Sequence, residues 1–297
     1  MNSDPALAGI LCRVLATFFF AGVMVLAQVA ITSSGFAMTY FMRGVSALPI
    51  IMIFMVIRGS FPSAIATARP ADHFLRGLLA AASLACTFAA ISRLPVSLAA
   101  ALSFLAPVFV TVGAGLFLRE SVAWRTWVAV GLSCIGVWIA CRSDAASFAG
   151  SDTMVIGVLY GMSGALLMAF SMLQLKRLSA TESAATLAFY FSVAITVIGA
   201  GALILDGNAT LQIVTGAAVL AGVSGALGQL FLAESMRLAP ASRLAPFDYL
   251  LLVWTSLWDV VVSPGLWSID LAMAALLIGF AALITLLPSR SKLPLAR

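Results

Sequence analysis

Few residues in this chain could do chemistry, and their apolar surroundings matter more than their number. The single histidine, His73, stands in a charged loop with no Cys or His beside it. It reads as a solvated loop residue, with pH sensing as the other reading. Cys12, Cys86, Cys134 and Cys141 form no Cys-x-x-Cys pair and lie in or beside apolar runs. That spacing argues against a disulfide framework or a zinc site. No Gly-Lys-Ser/Thr loop is present for nucleotide phosphates, and no His cluster, Ser with a base or facing acids for catalysis. Neither enzyme activity, cofactor nor metal is expected.

What remains is a set of polar side chains inside long apolar stretches, where they are costly and face a protein interior. They are Gln28, Ser83, Thr87, Ser103, Ser171, Gln174, Ser224, Gln229 and Asp248. Ser83 and Thr87 are four apart and share one helical face, although a hydroxyl can equally bond back to its own helix. A glutamine amide is harder to satisfy locally, and Gln229 lies two turns before the basic residue Arg237. Asp248 is either an ion-coupling carboxylate or a partner of Arg243 or Arg237. Aromatic residues (Phe20 from the run Phe18-Phe19-Phe20, Phe104, Phe247, Tyr249, Trp254) suit an apolar pocket with a few polar groups; packing or lipid contact explains them equally well. The candidate cavity residues are Phe20, Gln28, Ser83, Thr87, Phe104, Met168, Ser171, Gln229, Phe247 and Trp254.

The elements that must position these residues follow from composition. The chain is 63% hydrophobic and 9% charged, with a mean hydropathy of +1.13. A soluble domain is about 45–50% apolar and about 25% charged, so this is an integral membrane protein. A helix crossing the hydrocarbon needs roughly 20 residues. Ten such segments are read, at 7–30, 35–57, 74–92, 95–118, 124–141, 153–175, 183–205, 212–235, 241–262 and 269–288. The runs are continuously apolar, without the alternation of a β-barrel. The start, MNSDPALAGILCR, has no basic region ahead of its apolar run, so the first segment is expected to be a mature helix.

With the N-terminus cytoplasmic, thirteen Lys and Arg fall on the inner side and only Arg43, Arg93 and Arg142 on the outer. That is a strong positive-inside bias. It accounts for the net charge of +5 without nucleic acid. Both termini are then cytoplasmic. Trp124, Trp127, Trp258 and Trp267 fall near segment ends, as interfacial residues do.

The chain also repeats itself. WRTWVAVGLSCIGVWIA (124–140) aligns with WSIDLAMAALLIGFAAL (267–283), and the Arg-Leu-Pro at Arg93 with the Arg-Leu-Ala-Pro at Arg237. Two five-helix units result, 1–148 and 149–297. An odd number of spans per unit sets the second upside down. Such inverted repeats are common in secondary transporters, with the substrate site at the repeat interface.

The stretch RLPVSLAAALSFLAPVFVTVGAGLFLRESVAWRTWVAVGLSCIGVWIA carries a small-residue helix with an internal Pro, a Leu-x-Glu exit (Leu118, Glu120), then Trp and a Gly-spaced helix. In these features, and in Arg43 within TYFMRG, the chain resembles the ten-helix EamA-type members of the drug/metabolite transporter superfamily. The second unit departs from the pattern: VSPGLW (262–267) stands where a counterpart of Glu120 is expected. The resemblance implies alternating access by two inverted halves and export of amino acids or other small metabolites across the bacterial inner membrane. It leaves the substrate open, with uptake of a nucleoside-type solute such as S-adenosylmethionine as the alternative. A monomer in the lipid bilayer is expected.

Pro107 and Pro246 fall inside apolar runs of the two units. Each removes a backbone donor and frees a carbonyl one turn earlier, tolerable only against protein or a watery cavity. They are expected to be kinks, as hinges or as static bends.

Overall fold

The computed structural model describes residues 5–91, 93, 102–145, 152–206, 215–251, 253–255, 257, 277 and 280. The tenth segment, apart from residues 277 and 280, together with Trp258, Asp259 and VSPGLW, lies outside them, as does most of the stretch from Arg93 to Ala101. The described residues hold no strand. Eight helices are α1 (Pro5–Ser34), α2 (Phe36–Ile57), α3 (Pro70–Ile91), α4 (Ala106–Phe117), α5 (Trp124–Ala145), α6 (Asp152–Leu178), α7 (Ala184–Asp206) and α8 (Gly216–Leu238). A four-residue helix, Ala241–Leu244, and a 3-10 stretch, Ala245–Tyr249, follow.

Five described helices are long and apolar enough to cross a membrane: α1, α2, α6, α7 and α8. Most of their exposed residues are apolar. On α1, Leu7, Leu11, Leu15 and Phe18 form one such stripe, and on α6 Val155, Leu159, Met162 and Leu166 form another. This is a multi-pass, all-α membrane protein. Trp124 and Trp127 lie exposed at the start of α5, where interfacial residues are expected.

Inside the bundle, α1 packs on α8, α3 on α6 and α2 on α7. The closest of these approaches is α2 on α7. A Cβ on Gly44 would stand 2.6 Å from the backbone nitrogen of Thr196, and one on Gly199 would stand 2.6 Å from Cα of Phe41. Without a hydrophobic force between helices in lipid, such small-residue contact is what holds them together.

Two expected segments are less regular than continuous helices. Pro107 is the second residue of α4, after a turn at Phe104 and Leu105, and Pro246 lies within the 3-10 stretch. Neither bends a continuous α-helix. A proline lacks the N–H that an internal helical position requires but not the one at a first turn, so each marks where helix restarts. Arg13, Arg43 and Arg76 lie within α1, α2 and α3, inside the segments read from the sequence. His73, expected in a solvated loop, is buried in the first turn of α3. Its ring stacks on Tyr190 with centroids 4.4 Å apart.

Gly44→Ala and Gly199→Ala are each expected to destabilise the protein by about 1–3 kcal/mol, since backbone cannot yield to an added methyl. Gly201→Ala, at a position with open space around it, is the control. Thermal unfolding in detergent checks this; equal melting temperatures for all three would contradict the close approach.

Candidate functional site

A narrow cleft, with room for little more than a water molecule, opens between α2, α7 and α8. Arg43, Gly44 and Ala47 form its α2 wall, Phe191, Ser192 and Ile195 its α7 wall, and Gly225 and Gln229 its α8 wall. Ala47 and Ile195 each sit halfway along their helices, so the cleft lies at mid-depth. Gln229 is 6% exposed, and its Oε1 accepts a hydrogen bond from Arg76 Nη2 at 3.1 Å. Arg76 also donates to the Leu187 carbonyl at 2.9 Å and lies over the Phe191 ring, 4.8 Å from its centroid.

The other expected cavity residues fall into two groups. Several tie helices together. Ser83 Oγ donates to the Gly164 carbonyl at 2.7 Å, and Ser171 Oγ to the Arg76 carbonyl at 3.2 Å. Thr87 bonds back to Ser83 O within its own helix. Phe20 lies beneath Gly228, where a Cβ would stand 2.8 Å from its ring. Met168 is half-buried on α6, and the side chain of Gln28 on α1 lies outside the described residues. Gln174, another intramembrane polar residue, donates to Asp72 at 2.8 Å.

The second group gathers around residues 241–254. Phe104 stacks on Tyr249 at 5.9 Å, and the Tyr249 hydroxyl lies 3.3 Å from Cys134 Sγ. Phe247 is 2% exposed, within the core. Trp254 meets Phe18 edge to face at 5.5 Å, and its buried indole N–H has no partner among the described residues. Asp248 pairs with Arg13, not with Arg243 or Arg237. Arg13 Nη2 donates to Oδ2 at 2.6 Å, and Nε lies 2.6 Å from Oδ1. Arg237 is instead paired with Glu234 on its own helix.

Glu120 explains the Leu-x-Glu exit. Arg119 takes a left-handed φ of 53° as α4 ends, and the Glu120 N–H returns to the Ala114 carbonyl at 3.1 Å. The carboxylate then reaches the turn that follows α8. It accepts the N–H groups of Ala241 and Ser242 at 3.0 Å each, and the Ser242 hydroxyl at 2.8 Å. A carboxylate at a helix N-terminus satisfies orphan donors and meets the positive end of its dipole. Lys176 Nζ meanwhile donates to the Met236 and Ala239 carbonyls at 2.6 and 2.8 Å. The chain between α8 and the 241–249 turns is thus held from both sides.

Sequence reasoning passed over Arg43 and Arg76 as possible cleft residues by counting both only as charges on one or the other membrane side. The available signal was their position: Arg43 stands seven residues into α2 and Arg76 six into α3.

Residues 7–142 match the EamA-like transporter family. The chain is 28% identical over 214 residues to an S-adenosylmethionine uptake transporter of Rickettsia bellii, covering 72% of this chain and 69% of that one. It is 27% identical over 262 residues to the pseudopaline exporter CntI of Pseudomonas aeruginosa, covering 87% and 88%. It is 31% identical over 190 residues to a riboflavin transporter of Rhizobium johnstonii, covering 63% and 60%. A solved crystal structure superposes with a TM-score of 0.78 at 19% identity, covering 99% of this chain and 100% of the other, which shows the shared fold. Residues 7–142 of the chain are thus similar to EamA-like transporters, and the relatives above are named as transporters. Together with five helices long and apolar enough to cross a membrane, these likenesses support a membrane transporter.

Asp248→Asn removes the countercharge of a buried guanidinium and is expected to cost about 3–5 kcal/mol. Adding Arg13→Met should recover most of the loss, because no buried cation is then left alone. Unfolding midpoints of the single and double variants in detergent decide this; no recovery would mean the pair is not what stabilises this corner.

Proposed function

We propose that the protein is a secondary transporter of small amphipathic metabolites in the bacterial inner membrane, best read as an exporter of amino acids including aromatic and hydrophobic ones. Its two five-helix units, 1–148 and 149–297, are read as inverted halves with both termini cytoplasmic, working by alternating access. The observation that carries this reading is the mid-depth cleft, whose walls come from α2 of one unit and α7 and α8 of the other. Transporter sites commonly lie at such an interface. The packing pattern also supports it. Exchanging the first helix for the sixth, the second for the seventh and the third for the eighth turns α1 on α8 into α6 on α3, and leaves α2 on α7 unchanged.

As it stands the cleft is far too small for a metabolite, against the roughly 300–1,000 Å³ of a typical small-molecule pocket. The helices must part to admit cargo, as alternating access requires. Pro107 and Pro246, both at helix restarts, are proposed as the hinges of the two units. Asp248 remains the proposed site of any ion coupling; a tight pair with Arg13 keeps its carboxyl occupied unless that pair opens. Uptake of S-adenosylmethionine is the second reading, favoured by the named function of the Rickettsia relative.

Counterflow in proteoliposomes tests both. Exchange of phenylalanine, tryptophan or methionine is expected, and Gln229→Ala is expected to slow it at least tenfold by emptying the α8 wall. Exchange of S-adenosylmethionine alone would select the second reading. A Gln229→Ala protein that folds and exchanges at the wild-type rate would displace the cleft as the cargo site.

A further inference from the structure

Two guanidinium groups border the cleft, and no acid among the described residues compensates either. Arg43 lines it from α2, half-buried, making no hydrogen bond and no ion pair among the described residues. Gly225 faces it, with Arg43 Nε 3.6 Å from where a Cβ would stand, so the glycine leaves that side of the group open. Arg76 is 3% exposed, and its partners are all neutral: the Leu187 carbonyl, the Gln229 amide oxygen and the Phe191 ring. Gln229 and Phe191 are themselves cleft walls, so Arg76 stands directly behind them.

The carboxylates whose side chains are described are engaged elsewhere. Asp72 holds Arg69 and Gln174, and Glu120 caps 241–242. Glu182 holds Thr67, Glu234 holds Arg237, and Asp248 holds Arg13. A buried cation without a counterion is costly. A protein that sets two of them around one cleft leaves the countercharge to be supplied by what enters. The neutral groups agree. Because Gln229 Oε1 accepts from Arg76, its Nε2 is the atom left to donate. Ser192 Oγ, also on the wall, makes no hydrogen bond among the described residues.

We propose that the cleft is a carboxylate subsite. The carboxylate of the transported solute docks on Arg43, with Gln229 Nε2 and Ser192 Oγ as further donors. Arg76 fixes the Gln229 amide and adds a second positive charge behind it. The proposal rests on the transporter reading above and names the part of the solute that is recognised. Solutes bearing a free carboxylate bind; matched solutes in which it is neutral do not.

The test is counterflow by the full chain in proteoliposomes, with protein-free vesicles subtracted. The solutes are phenylalanine against phenylalaninamide, methionine against methioninamide, S-adenosylmethionine against its decarboxylated form, and riboflavin. The acids are expected to exchange at least tenfold faster than their carboxylate-free partners. Arg43→Gln should abolish that preference, and Arg43→Lys should keep part of it, since it retains charge but loses the planar fork. Amides or riboflavin exchanging as fast as the acids would overturn the subsite while leaving transport intact, a result wild-type protein gives even if a variant fails to fold. Folded Arg43→Gln exchanging acids within twofold of wild type would also overturn it. No exchange of any solute would overturn the cargo reading and the subsite together.

Discussion

In hydrocarbon, every charge and every backbone polar group must find its partner inside the protein. The described bundle follows that constraint closely. Arg13 crosses from α1 to Asp248, and Ser83 crosses from α3 to the α6 backbone. Glu120 and Lys176 hold the chain between α8 and the 241–249 turns, where helical hydrogen bonding is interrupted. That interruption of regular structure is matched by side chains reaching in from elsewhere in the fold. Against that background, cations without acids beside a cleft have the character of a binding site rather than of a scaffold.

The same constraint explains why the helices approach as they do. Lipid offers no hydrophobic drive for helix association, so contact has to come from close packing. Glycines at 44 and 199 allow α2 and α7 to meet backbone to backbone, and the cleft begins beside Gly44. The contact between α2 and α7 therefore adjoins the place where cargo is proposed to bind. A rearrangement of that contact would be felt at once by the cleft walls.

Prolines were legible in the sequence as breaks but not as the kind of break they make. Pro107 and Pro246 each fall inside an apolar run long enough for one helix, and composition alone cannot say whether such a run bends or restarts. In the structure both restart, because a first-turn position has no need of the missing N–H. His73 was misplaced for a related reason. Charged neighbours look like a loop in sequence, whereas the fold carries the first turn of α3 under Tyr190 and buries the ring.

The sequence by itself determined the solvent, the helical class, the approximate position of most helices and the family resemblance, because a bilayer demands long apolar runs and composition records them directly. It also singled out Gln229, since an amide that deep in apolar sequence has to face protein. Only the tertiary structure decided the partners: Asp248 with Arg13 rather than with the nearer Arg243, Glu120 with the N-terminus of the 241–244 helix, and Arg43 and Arg76 at one cleft rather than on opposite membrane faces. Ion pairing and cleft formation join residues far apart in the chain. No local pattern encodes which of several buried charges will meet once the helices are packed.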